Sequence, residues 1–163
     1  MKRLVLVLLV MAGFCANANA QFFISGTLGF QYRHDVFSMK FLPGIGYELS
    51  DRWAVGAEGG FSIFDEDFGG ILKPYVRFNI WNNDKVFIDA KAVSELMFGD
   101  GYMNTFAGLS PSIRYAVNDH WQLSADMGLL GVDVMKVKHL SAEVDPALGL
   151  FLNGVDLTLI YKF

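Results

Sequence analysis

The residues suited to binding or transforming something are few. Histidine is the commonest metal ligand, and the chain has three, at His34, His120 and His139. The strand layout developed below puts His34 and His139 at one end and His120 at the other, so they are not expected to share a metal. Asp65-Glu66-Asp67, followed by Phe68-Gly69-Gly70, clusters the carboxylates that a hard cation such as calcium prefers. It lacks the spaced ligands of a loop site and reads as a solvated tip. The one cysteine, Cys15, excludes a disulfide scaffold and a Cys-rich metal site. Thirteen Lys and Arg against 17 Asp and Glu leave a net charge of −4, the wrong sign for a nucleic-acid binder. No catalytic residue, cofactor or metal ligand is assigned.

The elements that position these residues begin with a leader. Residues 1–20 run from a basic start (Lys2, Arg3) through an apolar core to Ala18-Asn19-Ala20. This is the pattern of a secretory signal peptide cleaved before Gln21. The competing reading, an uncleaved anchor helix, needs an apolar core of ~20 residues. Loss of Lys2 and Arg3 takes the net charge from −4 to −6. Cys15 leaves with the leader, and Phe14 before it is too large for lipoprotein processing. The remaining 21–163 form one domain, and no apolar run long enough for a membrane helix survives.

That domain alternates apolar and polar residues with period two, the signature of strands with one apolar face. Eight strands are expected near 22–33, 39–49, 53–64, 71–81, 86–98, 105–117, 121–134 and 147–163. Three segments repeat: Pro43 to Asp51, Pro74 to Asp84 and Pro111 to Asp119. Each has proline, a branched aliphatic two on, an aromatic four on, an aliphatic six on and a polar turn ending in Asp. Two residues later come Trp53, Val86 and Trp121, which open the next strand. The turns at Ser50-Asp51-Arg52, Asn82 to Lys85 and Asn118-Asp119-His120 are short, whereas 34–38, 65–70, 99–104 and 135–146 read as longer loops. Short turns at one end and loops at the other is the layout of an outer-membrane barrel.

Alternation alone fits either a soluble lipocalin-like barrel, apolar inside, or a membrane barrel, apolar outside. The polar face favours the second. It interleaves glycines with single charges, as suits the crowded lumen of a narrow barrel. Seven cations (Arg33, Lys40, Lys73, Arg77, Lys91, Arg114, Lys162) and six anions (Glu48, Glu58, Asp89, Glu95, Asp126, Asp156) fall on it. Such near balance is what buried charges require if each is to be paired. Two aromatic girdles are expected, one from Phe22, Tyr47, Trp53, Phe78, Trp81, Tyr115, Trp121, Tyr161 and Phe163. The other comes from Tyr32, Phe41, Phe61, Phe98, Phe106 and Phe151. Pro43, Pro74 and Pro111 each remove a ladder hydrogen bond in mid-strand, so local bulges are expected there. The remaining charge is acidic: Asp35, Asp65, Glu66, Asp67, Asp100, Asp133, Glu143 and Asp145 against Lys136 and Lys138 at the loop end. Cationic partners or divalent ions are the expected ligands of that face.

Val155, Leu157, Leu159 and Tyr161 alternate up to the terminal Phe163. This pattern resembles the C-terminal signal that outer-membrane barrels present to their insertion machinery. With the three proline hairpins, the chain is similar to the small eight-stranded outer-membrane β-barrels related to the OmpA transmembrane domain and OmpX. The resemblance covers the whole of 21–163. It implies an all-β, up-and-down antiparallel transmembrane barrel, a monomer embedded in outer-membrane lipid and lipopolysaccharide. Activity does not follow from such a fold, and a non-enzymatic structural or surface-interaction role through the loops is expected. Two alternatives stay open. His139-Leu140-Ser141 resembles the His-x-Ser pair of lipid A deacylase barrels, in which a His base activates a Ser nucleophile; Glu143 lies much closer to Ser141 than that family places its acid. The lumen charges suggest a narrow channel, against which an eight-stranded interior is just wide enough for side chains to fill.

Overall fold

The computed structural model describes residues 21–33, 36–64, 67–99, 102–138, 141–143 and 148–163. The expected leader, 1–20, lies outside the described residues. The strands are β1 (Gln21–Arg33), β2 (Val36–Glu48), β3 (Trp53–Phe64), β4 (Asp67–Asn82), β5 (Val86–Gly99), β6 (Tyr102–Ala116), β7 (Trp121–Lys138), β8 (Ser141–Glu143) and β9 (Leu148–Lys162). Each of the long strands pairs antiparallel with its neighbours in chain order. The ring closes where β9 pairs with β7 on one side and with β1 on the other, from Phe23↔Lys162 to Gln31↔Gly154. The result is an all-β, closed eight-stranded up-and-down barrel; β8 only adds three pairings to the far end of β7.

The short turns end where the repeats put them, at Arg52, Lys85 and His120, and begin within one residue of the expected starts. Ser50, Asn83 and Asn118, each one residue before the repeated Asp, accept backbone N–H bonds two and three residues on. Asn118 Oδ1 takes those of His120 and Trp121 at 2.9 and 2.8 Å, Asn83 Oδ1 those of Lys85 and Val86 at 3.1 and 2.8 Å. Ser50 Oγ does the same for Arg52 and Trp53 at 3.4 and 3.2 Å. A side-chain acceptor at the turn start replaces the bonds that the chain reversal removes. The carbonyls of Arg52, Lys85 and His120 then accept N–H bonds of 2.8 Å from Asn79, Ala116 and Lys162 of the following hairpin, so the turns are laced together.

The opposite end corrects the expected loops. β2 begins at Val36, β4 at Asp67 and β6 at Tyr102, which leaves two residues at each of 34–35, 65–66 and 100–101. β7 likewise runs on to Lys138. Alternation of polarity marks a face, and it is weak in stretches such as Val36-Phe37-Ser38 and Phe68-Gly69-Gly70. The backbone ladder continues regardless, because each N–H and C=O still needs a partner.

The prolines behave differently from expectation too. Pro43 and Pro74 interrupt pairing with the next strand without shifting its register. At Pro111 the register does shift, and the extra residue lies on β7, where Gly128 takes φ 65° and its carbonyl accepts the Ser110 hydroxyl at 2.7 Å. Only glycine adopts that left-handed conformation freely. A two-residue gap in the ladder is enough to absorb a missing N–H, so the other two positions need no bulge.

The wall is apolar outside and polar inside. Ile24, Leu28, Phe41, Ile45, Leu72, Ile113, Leu123 and Leu157 point outward and are exposed, Ile45 by 57%. Thr27, Glu58, Lys73, Arg77, Asp89, Lys91, Glu95, Arg114 and Asp126 are buried in the lumen, Asp89 completely. Phe23, Ala54, Tyr75, Val93 and Ile160 form an apolar cluster among them. Gly46 and Gly56 leave the space that the Phe23 and Tyr75 rings occupy.

Outward aromatics gather at both rims. Phe22, Trp121, Tyr161 and Phe163 make a continuous group at the turn end, with centroid separations of 4.9 to 5.7 Å, and Trp53 lies 4.6 Å from Phe78. Phe41, Phe61 and Phe68 pack along the other rim at 5.9 and 5.3 Å. Phe106 is a correction. It pairs directly with Glu95, and cross-strand partners share a face, so it belongs to the lumen and not to the girdle. The side chains of Tyr32 and Phe151 lie outside the described residues.

Candidate functional site: the ionic lumen

The described lumen charges come from inward positions on seven strands, and the register sets like beside like at two places. Arg77 pairs across β4 and β5 with Lys91, and Asp126 pairs across β7 and β9 with Asp156. Directly opposed like charges destabilise a sheet. Both pairs are resolved by partners further round the ring.

Near the turn end Glu48 is a hub. It accepts from Arg77 Nη2 at 2.8 Å and from Lys162 Nζ at 2.7 Å, and Arg114 Nη1 lies 3.8 Å away. Arg114 donates to Asp89 through Nε at 2.9 Å and to Gln122 through Nη1 at 2.7 Å, while its guanidinium lies 4.3 Å from the Phe87 ring centroid. Asn79 completes the Asp89 shell at 2.7 Å. Halfway up, Lys91 donates to Asp126 at 2.6 Å, and Ser124 adds a bond at 3.2 Å. Toward the other end Asp156 accepts from Lys73 at 2.7 Å and Lys40 at 3.0 Å. Lys40 also reaches Glu95 at 3.5 Å, and Glu58 takes the Thr27 hydroxyl at 2.9 Å with Lys73 at 3.9 Å.

All six anions expected in the lumen are therefore there, as are six of the seven cations, and each takes part in an ion pair. The seventh, the Arg33 side chain, lies outside the described residues. Alternation found these residues but not their partners, nor the inward Phe23 and Tyr75. An apolar residue between polar ones carries no signal of its own, although its parity with Ser25 or with Lys73 and Arg77 does. Chemically the arrangement is a cross-brace. Every described charged group in the lumen is engaged by its neighbours, and breaking a pair would leave a buried charge short of its partner.

The other candidate residues are not brought into a site. His120 Nδ1 is hydrogen-bonded to the Lys162 carbonyl at 3.0 Å, at the turn end. His34, His139, Asp65 and Glu66 lie outside the described residues, as do the side chains of Asp67, Ser141 and Glu143. Ser141 is placed only by its backbone pairing with Lys138. The same holds for the acidic face: Asp35, Asp100 and Asp145, and the side chains of Asp133, Lys136 and Lys138, lie outside the described residues. Among the described residues no group of three or more His, Cys, Asp or Glu side chains is placed to hold a metal ion.

Fold and lumen together define a class: a closed eight-stranded up-and-down barrel with a braced ionic interior and an apolar exterior. Compared with models of known protein families and with curated protein sequences, the chain matches none.

Proposed function

We propose that the chain spans the outer membrane of a Gram-negative-type cell as a monomeric barrel, with a structural or surface-interaction role and no catalysis. One observation carries this reading: the inversion of polarity across the wall, with charges paired inside and Ile24, Leu28, Ile45, Leu123 and Leu157 exposed outside. In water that exterior is an extensive apolar patch of the kind soluble monomers avoid. In lipid it is the required surface, and closure of the sheet leaves no open edge in the hydrocarbon.

Aromatic groups at both rims fit the two interfaces. The leader supports export across the inner membrane, and the alternating β9 ending at Phe163 supports recognition by the insertion machinery. Lipid and lipopolysaccharide surround the barrel, and its acidic loop end faces outward toward cationic ligands or divalent ions. The braced lumen favours a closed interior over a channel.

Cell fractionation with paired heated and unheated gels tests the placement. The protein is expected in the outer-membrane fraction with heat-dependent mobility. A soluble periplasmic protein of unchanged mobility would overturn the proposal.

A further inference from the structure

The three turns carry more chemistry than a chain reversal needs. Each repeats an Asp followed by a base: Asp51-Arg52, Asp84-Lys85 and Asp119-His120. The turn hydrogen bonds are made by the preceding Ser50, Asn83 and Asn118, so the carboxylates are not used to shape the turn. Whereas every described charge in the lumen is paired, the side chains of Asp51, Arg52, Asp84, Lys85 and Asp119 are exposed and form no ion pair or hydrogen bond.

Each turn also presents one of the protein's three tryptophans. Trp53 and Trp121 follow the base directly, 47% and 40% exposed. At the middle turn Val86 takes that place, and the tryptophan comes from the strand before it. By simple alternation from Arg77 and Asn79, Trp81 would point into the lumen. A register shift between Asn79 and Trp81 turns it out, 50% exposed. Re-aiming a side chain is what a bulge does.

We propose that the three turns are equivalent docking points for zwitterionic phospholipid headgroups of the phosphoethanolamine kind, in the leaflet at the turn end. This rests on the membrane reading above. Arg52 and Lys85 meet the phosphate as charge-assisted donors. His120, whose Nδ1 is hydrogen-bonded to the Lys162 carbonyl, takes the place of the base at the third turn. The ammonium meets the neighbouring Asp and the tryptophan face, a cation–π partner. A purely anionic headgroup would satisfy the base while being repelled by the Asp beside it, so the doublets select a headgroup bearing both charges.

Because all three tryptophans lie at this end, their fluorescence reports on it alone. The barrel is placed in bilayers of phosphatidylethanolamine and phosphatidylglycerol, with brominated acyl chains on one lipid or the other. Brominated phosphatidylethanolamine is expected to quench about twofold more strongly, the bias that exposed ion pairs can supply. The triple variant Asp51→Asn, Asp84→Asn, Asp119→Asn should reverse that order, with folding checked by unheated gel mobility. Asp119→Asn alone should shift the ratio part of the way. Equal quenching by the two lipids, or an order unchanged by the Asn substitutions, overturns this inference and leaves the membrane reading standing. Absence of quenching by either lipid overturns both.

Discussion

Lys73 on β4 and Asp156 on β9 stand on opposite walls of the barrel, and their ammonium and carboxylate meet at 2.7 Å. Within the strand ladder Lys73 is paired with Glu58, yet that carboxylate lies further off at 3.9 Å. Strand tilt and stagger in a closed barrel bring distant positions to one height, so the shortest contact runs across the lumen. Asp156→Asn leaves Lys73 and Lys40 without their shared counter-ion. It is expected to cost about 3 kcal/mol, read from urea unfolding in vesicles by tryptophan fluorescence.

Exchanging Lys91 and Asp126 tests the like-charge neighbours. Lys91→Glu alone opposes two carboxylates and Asp126→Lys alone opposes two ammonium groups, so each should destabilise by about 3 kcal/mol or more. Together they restore the 2.6 Å pair with its sense reversed. They also put Glu beside Arg77 and Lys beside Asp156, which relieves both unfavourable juxtapositions. The double variant should recover most of the loss in a double-mutant cycle. Losses that simply add would show that the pair does not act as a unit.

Two glycines should respond oppositely to the same change. A methyl on Gly46 would overlap the buried Phe23 ring, whereas one on Gly26 meets nothing within 4 Å. Gly46→Ala is expected to cost about 1–3 kcal/mol through overpacking. Gly26→Ala should be neutral or stabilising by about 0.5 kcal/mol, since it narrows the unfolded ensemble. Equilibrium unfolding of both variants in the same lipid makes the comparison.

At the third turn, Asn118 and Asp119 are adjacent and unequal. Asn118→Ala removes an acceptor used by two backbone N–H groups and should destabilise by about 1–2 kcal/mol. Asp119→Ala should stay within about 0.5 kcal/mol. Equal losses at the two positions would contradict the division of roles between turn formation and surface charge.

Planar-bilayer recordings bear on the lumen. With Glu48, Asp89, Asp126 and Asp156 all engaged and Phe23, Tyr75 and Ile160 packed among them, the protein is expected to give no stable unit steps. Sustained conductance would mean that the braces open.

Much of this fold was legible because parity is robust. Fixing Ile24 or Leu157 as outward fixes every second residue of its strand, and the lumen charges follow. The Pro-to-Asp repeat likewise located the three turns. Partnership was not legible: Glu48 pairs with Arg77 and Lys162 through barrel curvature, which a linear pattern does not contain. Irregularities were only half legible. Pro111 signalled the shift that Gly128 absorbs, but nothing around Asn79 announced the one that turns Trp81 outward. Phe106 lies near a rim by its place in the sequence, and only the register that sets it opposite Glu95 shows that it faces the lumen.

The paired like charges bear finally on assembly. In an unrolled sheet Arg77 would still sit beside Lys91 and Asp126 beside Asp156. The relief supplied by Lys73 and Lys40 to Asp156, and by Glu48 to Lys162, arrives only once β9 has met β1. Partial closure keeps Asp156 beside Asp126 without the two lysines that offset it, although Arg77 and Lys91 can already reach Glu48 and Asp126. The last seam to zip therefore releases several favourable contacts at once, which makes completion of the ring cooperative and discourages the chain from lingering as an open, aggregation-prone intermediate.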